Sequence, residues 1–144
     1  MNAVFELYRQ IMEEFIPFNK VLGMKLLEVK DYKVTVLIPF KPELIGDPRK
    51  KAIHGGVLAS VMDAAGGAAG GTTLKSFDDK LSTIDLRIDY IQPGRGEDII
   101  CEAEVVRSGS RVIFTKMVCF HQDKKHEIIA EGRGVYSVIR KTTA

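Results

Sequence analysis

AIHGGVLASVMDAAGGAAGGTTL, residues 52–74, decides how this chain folds. In these 23 residues Asp63 is the only side chain of certain charge. The length suits a membrane span, and Gly66, Gly67, Gly70 and Gly71 make two overlapping GxxxG matches. The content does not suit one. Glycine and alanine add little hydrophobicity, and a central Asp costs about 2.5–3.5 kcal/mol on the insertion scale. The stretch reads instead as a helix buried inside one protein core. Each glycine in a helix interior costs about 1 kcal/mol relative to alanine. Four are tolerable if neighbours approach closely on several sides, as a curved antiparallel sheet wrapped around one helix would. Such a helix is expected to be apolar nearly all round.

The flanks supply the sheet. Upstream, Val4, Leu7, Tyr8, Ile11, Met12 and Phe15 recur at helical spacing and predict an amphipathic helix over 2–16, closed by Pro17. The period then changes to two. Residues 24–29 predict one strand and 32–38 a second, and the proline-rich, basic run 39–53 reads as a loop. Downstream, 82–91 shows the cleanest alternation, with Ile84, Leu86, Ile88 and Tyr90 on one face and Asp85, Arg87 and Asp89 on the other. Residues 97–107 and 111–121 flank a short turn at Ser108-Gly109-Ser110, and 126–139 form the last strand. Consecutive strands joined by short turns imply an antiparallel sheet, hence an α+β fold. With 144 residues the chain is expected to be a single domain, 1–144, divided into an N-terminal helical segment over 1–19 and a core over 20–140.

Composition bounds the function. Formal net charge is +2, from 21 Lys and Arg against 19 Asp and Glu, too mild for a nucleic-acid-binding protein. Two cysteines, Cys101 and Cys119, make neither a disulfide framework nor a four-cysteine zinc site, and both lie in apolar runs. Buried reduced thiols and an acidic N-terminus without a long apolar run predict a cytoplasmic protein, with no membrane partner.

Two features of the central helix carry chemistry. Asp63 is a lone carboxylate in an apolar helix, expensive to bury charged. It faces an exposed edge or bonds a nearby hydroxyl such as Ser60, or it serves as general base or nucleophile in a pocket. His54-Gly55-Gly56 opens the helix. There the first-turn N–H groups lack intrahelical partners and carry the positive end of the helix dipole. They can receive a carbonyl oxygen that becomes an oxyanion, or the glycines only allow tight chain entry. Gly55 and Asp63 are eight residues apart, about 12 Å along a helix. They cannot act on one carbonyl from the same chain. Two copies related by a two-fold axis would bring Gly55 of one near Asp63 of the other, so a shared site requires at least a dimer.

The run HGGVLASVMD, from His54 to Asp63, resembles the HGG…D signature of hot-dog-fold acyl-CoA thioesterases of the phenylacetic-acid-degradation (PaaI-like) type. STIDLRIDYIQP and VVRSGSRVIF fit in order, and the resemblance covers about residues 20–140. It implies a curved antiparallel sheet around a long central helix, and hydrolysis of acyl-CoA by a homodimer or dimer of dimers. No metal or cofactor is implied, because coenzyme A enters as part of the substrate. Asp63 matches the carboxylate that activates water or attacks the thioester. Gly55 matches the glycine whose N–H polarises the thioester carbonyl. His54 is expected to orient the helix start or contact the thioester, and Thr83 matches a hydroxyl that can hold the lytic water. Family members often carry Asn or Gln where this chain has Pro48, and Asp47 is the adjacent candidate replacement. For substrate binding, Gly66 and Gly67, one turn beyond Asp63, would leave room for an acyl chain, and Gly56 is a further candidate. Ser108, Gly109, Ser110 and Arg111 would receive the nucleotide phosphates, with Arg49-Lys50-Lys51, Arg95 and Arg107 as further cations. Two competing readings stand beside this one: a hydratase or dehydratase on the same fold, which pairs His with an acid, and a non-catalytic acyl-CoA sensor.

Overall fold

A computed structural model describes residues 2–141. Asn2 accepts the Val4 N–H at 2.9 Å and caps α1 (Ala3–Arg9), which continues as a π-helical turn over Gln10–Phe15. With Ile16 extended at φ −87° and ψ 110°, Pro17 closes this helix as expected. It occupies the first position of α2 (Pro17–Leu22), where a missing N–H costs nothing and a fixed φ suits helix entry. Gly23, at φ 71°, ends α2 in the left-handed region. The π-helical turn slips the side-chain register. Of the stripe expected on this helix, Met12 is fully buried, while Phe15 is left 80% exposed.

The rest of the chain makes a curved sheet and the helix it holds. β1 (Lys25–Lys30) and β2 (Lys33–Ile38) form a hairpin. The expected loop over 39–53 contains more structure than its prolines suggested: a 3₁₀ turn at Pro42–Leu44 and a two-stranded ribbon of β3 (Ile45–Asp47) and β4 (Ala52–Ile53). Then come α3 (Gly55–Gly71), β5 (Lys80–Tyr90), β6 (Ile99–Ser108), β7 (Val112–His121) and β8 (Ala130–Ile139). Six strands pair antiparallel in the order β1-β2-β6-β7-β8-β5, and α3 packs against all of them but β1. This is the hot-dog architecture. No helix among the described residues is long and apolar enough to cross a membrane.

α3 is less symmetric than its composition suggests. Val57, Leu58, Val61, Met62, Ala65, Gly66, Ala69 and Gly70 are buried. These pairs, repeating every four residues, form the face turned to the sheet. The intervening positions, Ala59, Ser60, Asp63, Ala64, Gly67 and Ala68, line a cavity instead. Both faces are made of small residues, so hydropathy alone hides the difference between them.

Close approach is a requirement at Gly66 rather than at all four glycines. A Cβ there would run into the Tyr136 hydroxyl and sit 3.1 Å from Thr115 Oγ1, whereas at Gly67, Gly70 and Gly71 it would make ordinary contacts of 3.6–3.9 Å. Gly66→Ala is therefore expected to destabilise the fold by about 1–3 kcal/mol through overpacking, despite alanine's better helix propensity. The loss should shrink in a Tyr136→Phe background, which removes the nearest atom. Denaturant midpoints of the four proteins in this cycle measure the coupling.

Cys101 and Cys119 are both free, fully buried and directly opposite each other across β6 and β7. Cys119, as hydrogen-bond partner, and then burial push the Cys101 thiol well up, so it stays protonated.

β5 departs from simple alternation. Its pairing with β8 shifts between Thr83 and Asp85, so Ile84 is the extra residue of a β-bulge and is 58% exposed. Leu86 and Ile88 pack toward the core as expected, but Ile84 does not join them. The bulge reverses the parity before it. Thr83, which strict alternation would place beside Asp85 on the outer face, turns inward toward α3.

Candidate active site

Asp63 sits at the middle of α3, half-buried in the cavity wall. The re-aimed Thr83 hydroxyl donates to its Oδ1 at 2.8 Å. Tyr136, from β8, donates to the Asp63 backbone carbonyl at 3.0 Å and lies 3.5 Å from the same Oδ1. Burial, then the neighbouring Asp63 charge, pushes the Tyr136 phenol well above its ordinary range, so it remains a donor at neutral pH. Oδ1 is therefore fixed from two sides, while Oδ2 accepts no hydrogen bond among the described residues. Ser60 is not the partner of Asp63; its hydroxyl donates to the Gly56 carbonyl at 2.7 Å.

The other end of the site is the start of α3. His54 is its N-cap, and Nδ1 of the imidazole accepts the Gly56 N–H at 2.8 Å. That bond leaves Nδ1 unprotonated and closes off one of the first-turn donors. The Gly55 N–H has no acceptor among the described residues. The Tyr90 hydroxyl donates to the Gly55 carbonyl at 3.0 Å, and its ring lies 3.3 Å from where a Gly55 Cβ would be. Gly55 thus offers an unengaged N–H at a helix N-terminus held in place by its neighbours. Gly55 and Asp63 are eight residues apart on one continuous helix, so within one chain they do not meet.

The cavity measures about 910 Å³ and lies between α3 and the N-terminal helices. Asp63, Thr83 and Tyr136 line it together, and Gly67 lies one turn further along. Leu7, Met12, Ile16 and Leu74 contribute apolar wall. The N-terminal segment that sequence periodicity marked only as amphipathic is therefore one wall of the cavity.

The remaining predicted residues stand apart from Asp63. Asp47 is engaged locally: it accepts the Arg49 backbone N–H at 3.0 Å and pairs with the Arg49 side chain, which hold its carboxyl below the usual range. It does not line the cavity with Asp63. Ser108, Gly109, Ser110 and Arg111 form the β6–β7 turn, where the Gly109 N–H donates to Val112 O at 2.8 Å. Arg140 donates to the Gly109 and Ser110 carbonyls at 3.2 and 3.3 Å, fixing the turn from the end of β8. Tyr136 and Tyr90, which sequence reading did not single out, support the two ends of the site. Tyr136 is 73 residues from Asp63, and only strand register brings them together.

The chain matches the thioesterase superfamily over residues 50–128, which contain α3 and three of the six strands of the sheet, β5, β6 and β7. It is 30% identical over 135 residues to the medium/long-chain acyl-CoA thioesterase YigI of Escherichia coli, covering 85% of this chain and 86% of that one. A putative esterase of Halobacterium salinarum is 34% identical over 83% of this chain and 82% of its own length. Among solved structures, a Shewanella oneidensis protein related to the thioesterase superfamily superposes with a TM-score of 0.78 at 32% identity, covering 94% of this chain and 95% of that one. A Haemophilus influenzae thioesterase shares the fold with a TM-score of 0.83 at 16% identity, covering 97% and 93%. With its central helix, the strands β5, β6 and β7 and the HGG…D run inside the matched region, this chain belongs to the thioesterase superfamily, a family of thioester hydrolases.

Proposed function

We propose that this protein hydrolyses acyl-CoA thioesters at sites shared between two copies of the chain. The observation that carries the reading is Asp63. Its carboxylate is fixed through Oδ1 by Thr83 and left open at Oδ2, at the wall of a large apolar cavity. Water bound to Oδ2 gives up a proton to it and attacks the thioester carbon. The Gly55 N–H of a second copy receives the developing oxyanion. Collapse of the tetrahedral intermediate breaks the C–S bond, and the proton on Asp63 passes to the departing CoA thiolate. Direct attack by Asp63 is the alternative chemistry; it forms an anhydride that water then opens. Oxygen-18 supplied as labelled water tests the alternative in a single turnover: water that opens the anhydride at the Asp63 carbon leaves label in the Asp63 carboxyl, a result the general-base route never gives.

The acyl group enters the apolar cavity beside Gly67, and the cavity's size supports an aliphatic chain of medium or greater length. This agrees with the chain length in YigI's name. The fixed turn Ser108-Gly109-Ser110 with exposed Arg111 is the proposed seat for the CoA phosphates. His54 positions the helix start through its cap on Gly56. The dimer, the PaaI-like subtype and a cytoplasmic location belong to the same reading, as does the lack of any need for metal or cofactor. The hydratase reading is less favoured, because the polar partners of Asp63 within the chain are Thr83 and Tyr136 rather than a histidine.

A thiol-release assay over saturated acyl-CoAs of increasing length tests the reading. The expected result is free CoA at a rate that rises from short to medium chains. Tight acyl-CoA binding with no free thiol at any length would instead make the protein a sensor.

A further inference from the structure

One polar group in the cavity wall has nothing to bind. Asn19, on α2, is only 3% exposed. Its amide Nδ2 is buried without a hydrogen-bond partner among the described residues. It lines the same cavity as Asp63 and Ser60, surrounded mainly by apolar wall. A buried amide donor left unpaired is destabilising by itself, and an apolar residue of similar size would remove that cost. A donor kept in a binding cavity at that cost is suited to an acceptor brought by the ligand.

The position of Asn19 along the cavity indicates where on the ligand that acceptor lies. The N-terminal helices run along α3 in the opposite sense. Tyr8, near their start, has its hydroxyl 3.9 Å from the Cβ position of Gly71, at the end of α3. Gly23, just after α2, lies against Pro39. The adjoining Phe40 packs on Gly96, and the nearby Gly94 bonds Ile53 at 2.8 Å, immediately before α3 begins. Asn19 therefore belongs to the Ser60 side of the cavity, toward the reacting thioester, and not to the far end beside Gly71.

We infer that Asn19 is a specificity-determining residue, whose amide donates to an oxygen carried on the first carbons of the acyl chain. The preferred substrate class is then a β-hydroxyacyl or β-ketoacyl thioester rather than the plain chain of equal length. This inference rests on the acyl-CoA reading above and adds a substrate class to it.

The test compares kcat/KM for four CoA thioesters of one chain length: plain, β-hydroxy, β-keto and ω-hydroxy. The wild-type protein is expected to favour one or both β-oxygenated substrates over the plain one by about fivefold to tenfold, the worth of one net hydrogen bond. The ω-hydroxy substrate should gain nothing. The hydroxyl and keto arms separate the two possible oxygens. Asn19→Leu should erase the preference, bringing the β-oxygenated substrates to the rate of the plain one, and raise the melting temperature of the free protein. Equal rates for all four substrates on the wild-type protein would overturn the inference before any variant is made. A uniform loss across all substrates in Asn19→Leu would overturn it too, by assigning Asn19 a structural or water-holding role. Failure of every substrate would instead remove the acyl-CoA reading on which it rests.

Discussion

Asp63→Asn is expected to lower kcat for acyl-CoA hydrolysis by about 10²–10⁴-fold, the usual worth of a positioned general base. The side chain keeps its shape. Thr83 can turn its hydroxyl to suit an amide, and Tyr136 holds the backbone carbonyl whichever residue stands at 63. The fold is therefore expected to survive, with an unchanged melting temperature, and KM should move little because the cavity wall is intact. Steady-state thiol release beside a thermal melt checks both halves. Turnover within tenfold of wild type in a folded Asp63→Asn protein would remove Asp63 from the chemistry, whether as base or as nucleophile.

The second large effect is expected at Gly55, and it needs no side chain. Proline is the one substitution that deletes the N–H, and Gly55 is the first residue of α3, where proline's φ is favourable. The preceding His54 is already extended, at φ −61° and ψ 132°, as a residue before proline must be. Gly55→Pro should therefore lower kcat by about 10²–10³-fold, the measured range for loss of one oxyanion donor. Added carbon at this position would also press on the Tyr90 ring at 3.3 Å. Gly55→Ala is the control, since it adds the same first carbon and keeps the donor. It should lose far less activity. Equal losses in the two variants would trace the effect to Tyr90 and not to the N–H.

Much of this architecture could be read from the residues. The small-residue helix with one carboxylate, the HGG entry and the alternating strands each carry a periodicity or composition that sequence displays directly. The separation of Gly55 and Asp63 was legible as well, because the rise of a helix fixes it without coordinates. Features set by register were not legible. Whether Thr83 faces inward depends on one extra residue in β5, and no pattern in STIDLRID marks Ile84 as the bulge. Tyr136 reaches Asp63 only because β8 lies between β7 and β5, and pairing order is a property of the whole sheet. The N-terminal helix misled for a local reason. Its apolar spacing predicted one straight stripe, but the π-helical turn at Gln10–Phe15 divides it, and one side becomes a cavity wall. Asn19 showed no signal in the sequence, where a single amide in PFNKVL looks like an ordinary helix surface residue; only its burial sets it apart.

In the proposed dimer, one active site draws its carboxylate from one chain and its oxyanion donor from another. Co-expressing Asp63→Ala and Gly55→Pro chains under separate tags, purifying the doubly tagged hybrid and measuring thiol release tests this arrangement. Each hybrid dimer would hold one site with both defects and one with neither. Two inactive parents are then expected to yield a hybrid with about half the wild-type activity per dimer. A doubly tagged dimer as inactive as its parents would rule out the shared site, by placing both groups of each site in the same chain.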